Sequence, residues 1–83
     1  MYSVIYDYVA LQDLGKLEKK FRKRIFEKIH STKENPFHYF EKLTARGEYK
    51  LRVGDYRVIV DIDEKTKRIF VLFVDHRKNV YKK

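Results

Sequence analysis

Eighty-three residues suffice for one domain, read as residues 1–83, and leave no room for a second. The absence of cysteine excludes a disulfide framework and a thiolate metal site, and no apolar run approaches the ~20 residues of a membrane span, so a cytoplasmic protein with no membrane partner is expected. Twenty Lys and Arg against twelve Asp and Glu leave a net charge of +8, which points to polyanions as partners.

MYSVIY alternates around Tyr2, Val4 and Tyr6, the short period of a strand. Asp7 is placed to cap a following helix. Leu11, Leu14, Leu17, Phe21, Ile25 and Ile29 then recur at steps of three and four, one stripe of a 3.6-residue period. Gly15 breaks that stripe, so a helical hairpin is expected over roughly 8–17 and 19–33, with its corner at Glu18 to Lys20. The second helix, beginning KKFRKRIFEK, is strongly basic. Asn35-Pro36 ends it, because a residue before proline avoids helical angles. STKE at 31–34 imitates a capping box but is followed by no apolar run, and 37–47 read as irregular. EYKLRV, YRVIVDI and RIFVLFV are three runs of branched and aromatic residues, joined by Gly54-Asp55 and by DEKTK. The expected fold is α+β: an N-terminal strand, a two-helix hairpin packed on one face of an antiparallel sheet, and a basic C-terminal tail.

Strand parity gives the chemistry its first shape. With Gly54 and Asp55 as a two-residue turn, Val53 opposes Tyr56, Arg52 opposes Arg57 and Leu51 opposes Val58. Tyr49, Leu51, Val53, Tyr56, Val58, Val60 and Ile62 then face the helices, while Lys50, Arg52, Arg57, Ile59 and Asp61 face away. A loop at 63–66 would set Phe70 beside Ile59, Leu72 beside Arg57 and Arg68 beside Asp61, with His76 on the Arg57 face. Opposed arginines repel unless an anion lies between them, and guanidinium forks match phosphate oxygens. The bland alternative is a wet sheet face with long basic side chains lying over apolar neighbours, which is the commoner meaning of such a pattern. His30 and His38 lack a second ligand at metal spacing, and no glycine-rich phosphate or nucleophile motif occurs, so neither metal nor cofactor is expected.

The segments KLEKKFRKRIFEKI, KENP, EKLTARGEYKLRVGDYRVIVDID and FVDHRKNVY resemble the RelE/ParE superfamily of toxins from toxin–antitoxin modules. The most specific parts are YKLRVGDYRV and HRKNVY, and the similarity spans nearly the whole chain. In its RelE-like branch the resemblance implies a ribosome-dependent, metal-independent endoribonuclease (an mRNA interferase) that cuts mRNA in the A site by 2′-OH attack on phosphate. By position, the family's site residues fall on Arg57, Lys50, Arg77 and Tyr81, with His76 matching a histidine used by several relatives. Arg52, Lys78 and Lys82 would add substrate contacts. Where some relatives carry an outer lysine on the preceding strand, this chain has Glu48, and it ends two residues after Tyr81. The implied partners are an acidic, RelB-like antitoxin, the ribosome and mRNA, with DNA reached only through the antitoxin complex. A ParE-type inhibitor of DNA gyrase and a degenerate toxin acting as a binding module are the alternatives.

Overall fold

Alternating Val4 and Tyr6 make β1 (Ser3–Tyr6) a half-buried strand whose other face, Ser3 and Ile5, is exposed. These features belong to a computed structural model, which describes residues 1–43 and 47–76. Helix α1 (Tyr8–Gly15) follows after a single residue. Asp7 holds the N-cap position with extended angles, but its side chain caps nothing; instead its backbone N–H donates to the Val71 carbonyl at 2.9 Å. Ala10 and Leu14 are the inward residues of α1, and Leu11 is about half exposed. The apolar stripe is therefore not continuous across the hairpin. The break falls at Lys16–Glu18, and each helix sets its own inward face.

Helix α2 (Lys19–Ser31) buries Ile25 and Ile29 and turns its basic residues outward. It stops before Asn35-Pro36, at a C-cap Thr32 whose buried hydroxyl donates to the Ile29 carbonyl at 2.6 Å. Pro36 starts something rather than ending it. With no N–H to satisfy and φ preset, it opens a one-turn helix α3 (Pro36–Tyr39), and β2 (Glu41–Lys42) follows. The segment expected to be irregular thus contains two short elements.

Strands β3 (Tyr49–Val53), β4 (Tyr56–Asp63) and β5 (Arg68–His76) form the expected meander. The whole sheet has five strands in the order β1-β5-β4-β3-β2. It is mixed rather than purely antiparallel, because β1 lies parallel to β5, Ser3 opposite Arg68 and Tyr6 opposite Val71. The helices cover one face, where Leu14, Ile25 and Ile29 meet Leu51, Val58, Val60, Ile69 and Val71 in the core. Each such aliphatic contributes roughly 1.5–3 kcal/mol relative to exposure, enough to fix which sheet face is inside.

The β3–β4 register is the one expected: Val53 opposite Tyr56, Arg52 opposite Arg57, Leu51 opposite Val58. Gly54, at φ +60°, occupies the first central position of the two-residue turn, the pattern of type II′. The β4–β5 register departs twice from expectation. The loop is 64–67, so Asp63 opposes Arg68 and Asp61 opposes Phe70, a slip that preserves parity. A β-bulge then intervenes: Val60 pairs with Val71 but Ile59 with Phe73, leaving Leu72 as the extra residue. One inserted residue exchanges the faces of everything beyond it. Asp75, not Leu72, comes to lie opposite Arg57, and His76 lies opposite Tyr56 on the helix-covered side. The Val74 N–H just past the bulge donates to the Asp13 carboxylate of α1 at 3.0 Å.

Candidate nucleic-acid interface

Arg52 and Arg57 are direct cross-strand partners on the face that no helix covers. Lys50, two residues before Arg52, shares that face and lies between Ile59 of β4 and Glu41 of β2. Its Nζ is 3.4 Å from the Glu41 Oε1, and the Glu41 side chain is largely exposed. Such an exposed pair contributes little, about 0–1 kcal/mol, so a phosphate can compete for the ammonium. Arg57 has a carboxylate residue, Asp75, opposite it on its other flank. The three cations are thus gathered on one face as parity required, but two of them have acidic neighbours on the adjoining strands.

Together with Lys28, His38 and Tyr39, these residues line an open hollow of about 440 Å³. Lys28 reaches in from the last turns of α2, and His38 and Tyr39 from α3. A second hollow of about 470 Å³ includes Arg24 and shares Lys28 and Arg52 with the first. Basic residues therefore extend from β4 over β3 to α2, with Glu41 in the first hollow and Glu27 in the second among them. Sequence reasoning missed Lys28, His38 and Tyr39. The available signal was Pro36 as a helix-starting residue, which would have made PFHY an ordered turn instead of a loop.

His76 is not part of this hollow. Its ring meets Tyr56 edge-on at 5.2 Å and lines a separate 220 Å³ depression with Phe21, Arg24 and Gly54, on the helix side of the sheet. The expectation that it shares the Arg57 face is corrected by the bulge at Leu72. Arg77, Lys78, Tyr81 and Lys82 lie outside the described residues. Among the described residues no three His, Asp or Glu side chains are grouped so as to hold a metal ion, and no helix is long and apolar enough to cross a membrane.

Among the described residues, two groups away from the hollow have shifted titrations. Burial pushes the Tyr6 phenol up to about 12. The Thr66 side-chain hydrogen bond, with the Thr66 and Lys65 backbone N–H groups, holds the Asp63 carboxyl below the usual range and ties the β4–β5 loop.

Residues 4–81 match the family model for the ParE toxin of the type II toxin–antitoxin system parDE. The chain is 32% identical over 75 residues to RelE4 of Methanocaldococcus jannaschii, covering 88% of this chain and 80% of that protein. Among solved structures it is similar to the RelBE2 toxin–antitoxin complex of Mycobacterium tuberculosis, with TM-score 0.85, 28% identity and 92% and 98% of the two chains covered. The RelE–RelB complex of Pyrococcus horikoshii gives 0.79 at 29%, covering 92% and 94%. The isolated RelE toxin of Escherichia coli gives 0.78 at 25%, covering 99% and 93%.

Proposed function

Because this chain belongs to the RelE/ParE superfamily of toxins from type II toxin–antitoxin systems, we propose that it is an endoribonuclease acting on mRNA in the ribosomal A site. The observation that carries the reading is the opposition of Arg52 and Arg57, with Lys50 on the same face, all three lining one open hollow. Guanidinium forks brought opposite one another across two strands match the oxygens of a phosphate.

The reaction asks for three things. The 2′-OH must lose its proton as its oxygen attacks phosphorus, the non-bridging oxygens must be neutralised, and the departing 5′-oxygen must gain a proton as the P–O5′ bond breaks. Arg52 and Arg57 neutralise the non-bridging oxygens, with Arg77 joining them on the strength of the family resemblance. Lys50, once drawn from Glu41, donates to the 5′-oxygen. Tyr81 takes the base role by the same resemblance. The product is a 2′,3′-cyclic phosphate, and no metal takes part. His76, across the sheet from Arg57, is assigned no proton transfer.

An acidic antitoxin is the natural partner of a +8 protein whose α2 is basic along its outer face. The structures similar to this chain include complexes of RelE with RelB, which supports a RelB-like antitoxin. DNA contact would then come through the antitoxin.

The test is induction in bacteria. Growth should stop through translation, with mRNA cut only when ribosomes are present, and Arg57→Ala or Tyr81→Phe should relieve the arrest. A second reading, inhibition of DNA gyrase, is favoured by one observation: the family model matched is the one described for ParE. Stalled replication with intact mRNA in the arrested cells would decide for it.

A further inference from the structure

Phe37 and Tyr39 are the two large aromatics that α3 exposes, at 41% and 43%, yet their surroundings differ. The Phe37 ring packs edge-on against Tyr2 at 6.3 Å and against Tyr49 at 5.6 Å, both aromatic groups of the fold's own core margin. Core packing accounts for Phe37. The Tyr39 ring meets instead the His38 ring, edge-on at 4.9 Å and 85°, and the Lys28 ammonium at 5.5 Å from its centroid. Lys28, His38 and Tyr39 all line the hollow that contains Lys50, Arg52 and Arg57.

We propose that Tyr39 is a stacking platform for a nucleobase of the RNA substrate, adjoining the phosphate held by Arg52 and Arg57; the proposal rests on the ribonuclease reading. A single strand is bound by pairing a cationic track for its phosphates with aromatic faces for its bases, and the hollow offers both. The platform is held firmly. Pro36 presets the turn, the Phe40 N–H donates to the Pro36 carbonyl at 2.9 Å, and Phe40, next in the chain, is buried. The His38 ring meets the Tyr39 ring edge-on. Lys28 supplies an exchangeable cap: an exposed ammonium on a ring is held more weakly than a stacked base, and a phosphate entering the hollow gives it a better partner.

The experiment measures single-turnover cleavage by ribosomes programmed with mRNA that is intact or abasic at each A-site position in turn. Wild type, Tyr39→Leu and Tyr39→Phe are compared. Removing one particular base should slow wild-type cleavage about tenfold or more. Tyr39→Leu, which keeps apolar bulk without a π face, should slow intact mRNA by a similar factor and become indifferent to that base. Tyr39→Phe should behave as wild type. Equal slowing of every substrate by Tyr39→Leu, or none, overturns the platform while leaving the nuclease standing. Absence of any wild-type cleavage on ribosomes overturns the nuclease reading and the platform with it.

Discussion

Tyr6 carries a hydroxyl that is buried without a hydrogen-bond partner among the described residues, while its ring packs edge-on against Phe26 at 5.2 Å. A buried unsatisfied hydroxyl costs roughly 1–3 kcal/mol, so Tyr6→Phe should leave stability unchanged or raise it by about 1 kcal/mol in chemical denaturation. The same group sets an alkaline limit. Its pKa rises from 10.0 to about 12 on folding, so the folded state holds the proton more tightly. Its contribution is complete below pH 10 and is lost as pH climbs toward 12. Melts across that window should show wild type losing stability that Tyr6→Phe does not lose. Asp13 makes the opposite kind of contribution. Its carboxylate accepts from the Val74 N–H, and Asp13→Ala should cost about 1.5–3 kcal/mol. At this scale the sequence was legible where short-range geometry governs: Gly54-Asp55 paired Arg52 with Arg57 correctly. It was illegible for Asp13 and Val74, whose bond joins positions no local pattern connects.

Among the elements, the bulge in β5 shows most plainly where pattern reading stops. RIFVLFV is apolar on both faces, so its hydrophobicity carries no period that could reveal an extra residue. The parity rule was sound, but the count beyond Leu72 was off by one, and that sufficed to move His76 through the sheet. For the same reason β1 could be recognised as a strand but not as a parallel neighbour of β5, since pairing between distant segments leaves no local trace. The helices were legible because α2 has one clear stripe. Their corner lies at 16–18, directly after Gly15, two residues earlier than the expected 18–20. The β3–β4 turn yields a further prediction. Gly54 has φ +60°, and a Cβ there would lie 3.5 Å from Arg24 Nη1, an ordinary contact. Gly54→Ala should therefore cost about 1–3 kcal/mol, from backbone strain rather than from a clash, read as a lowered denaturation midpoint.

At the scale of the molecule, two adjoining hollows share Arg52 and Lys28 and carry basic residues from Arg57 to Arg24. Binding through such a surface releases counterions, so affinity for single-stranded RNA should fall linearly on a log–log plot against salt. Arg52, shared by both hollows, is the residue to remove. Arg52→Ala should reduce the magnitude of that slope by about 0.7 in a salt titration followed by anisotropy.

The pairing of β1 with β5 has a consequence in time. The strand that completes the sheet around the N-terminal segment follows every other described element in the chain, so a nascent polypeptide cannot close its fold until that stretch has emerged from the exit tunnel. Messages broken upstream of it would release fragments lacking the β4–β5 ladder, food for proteases rather than folded toxin.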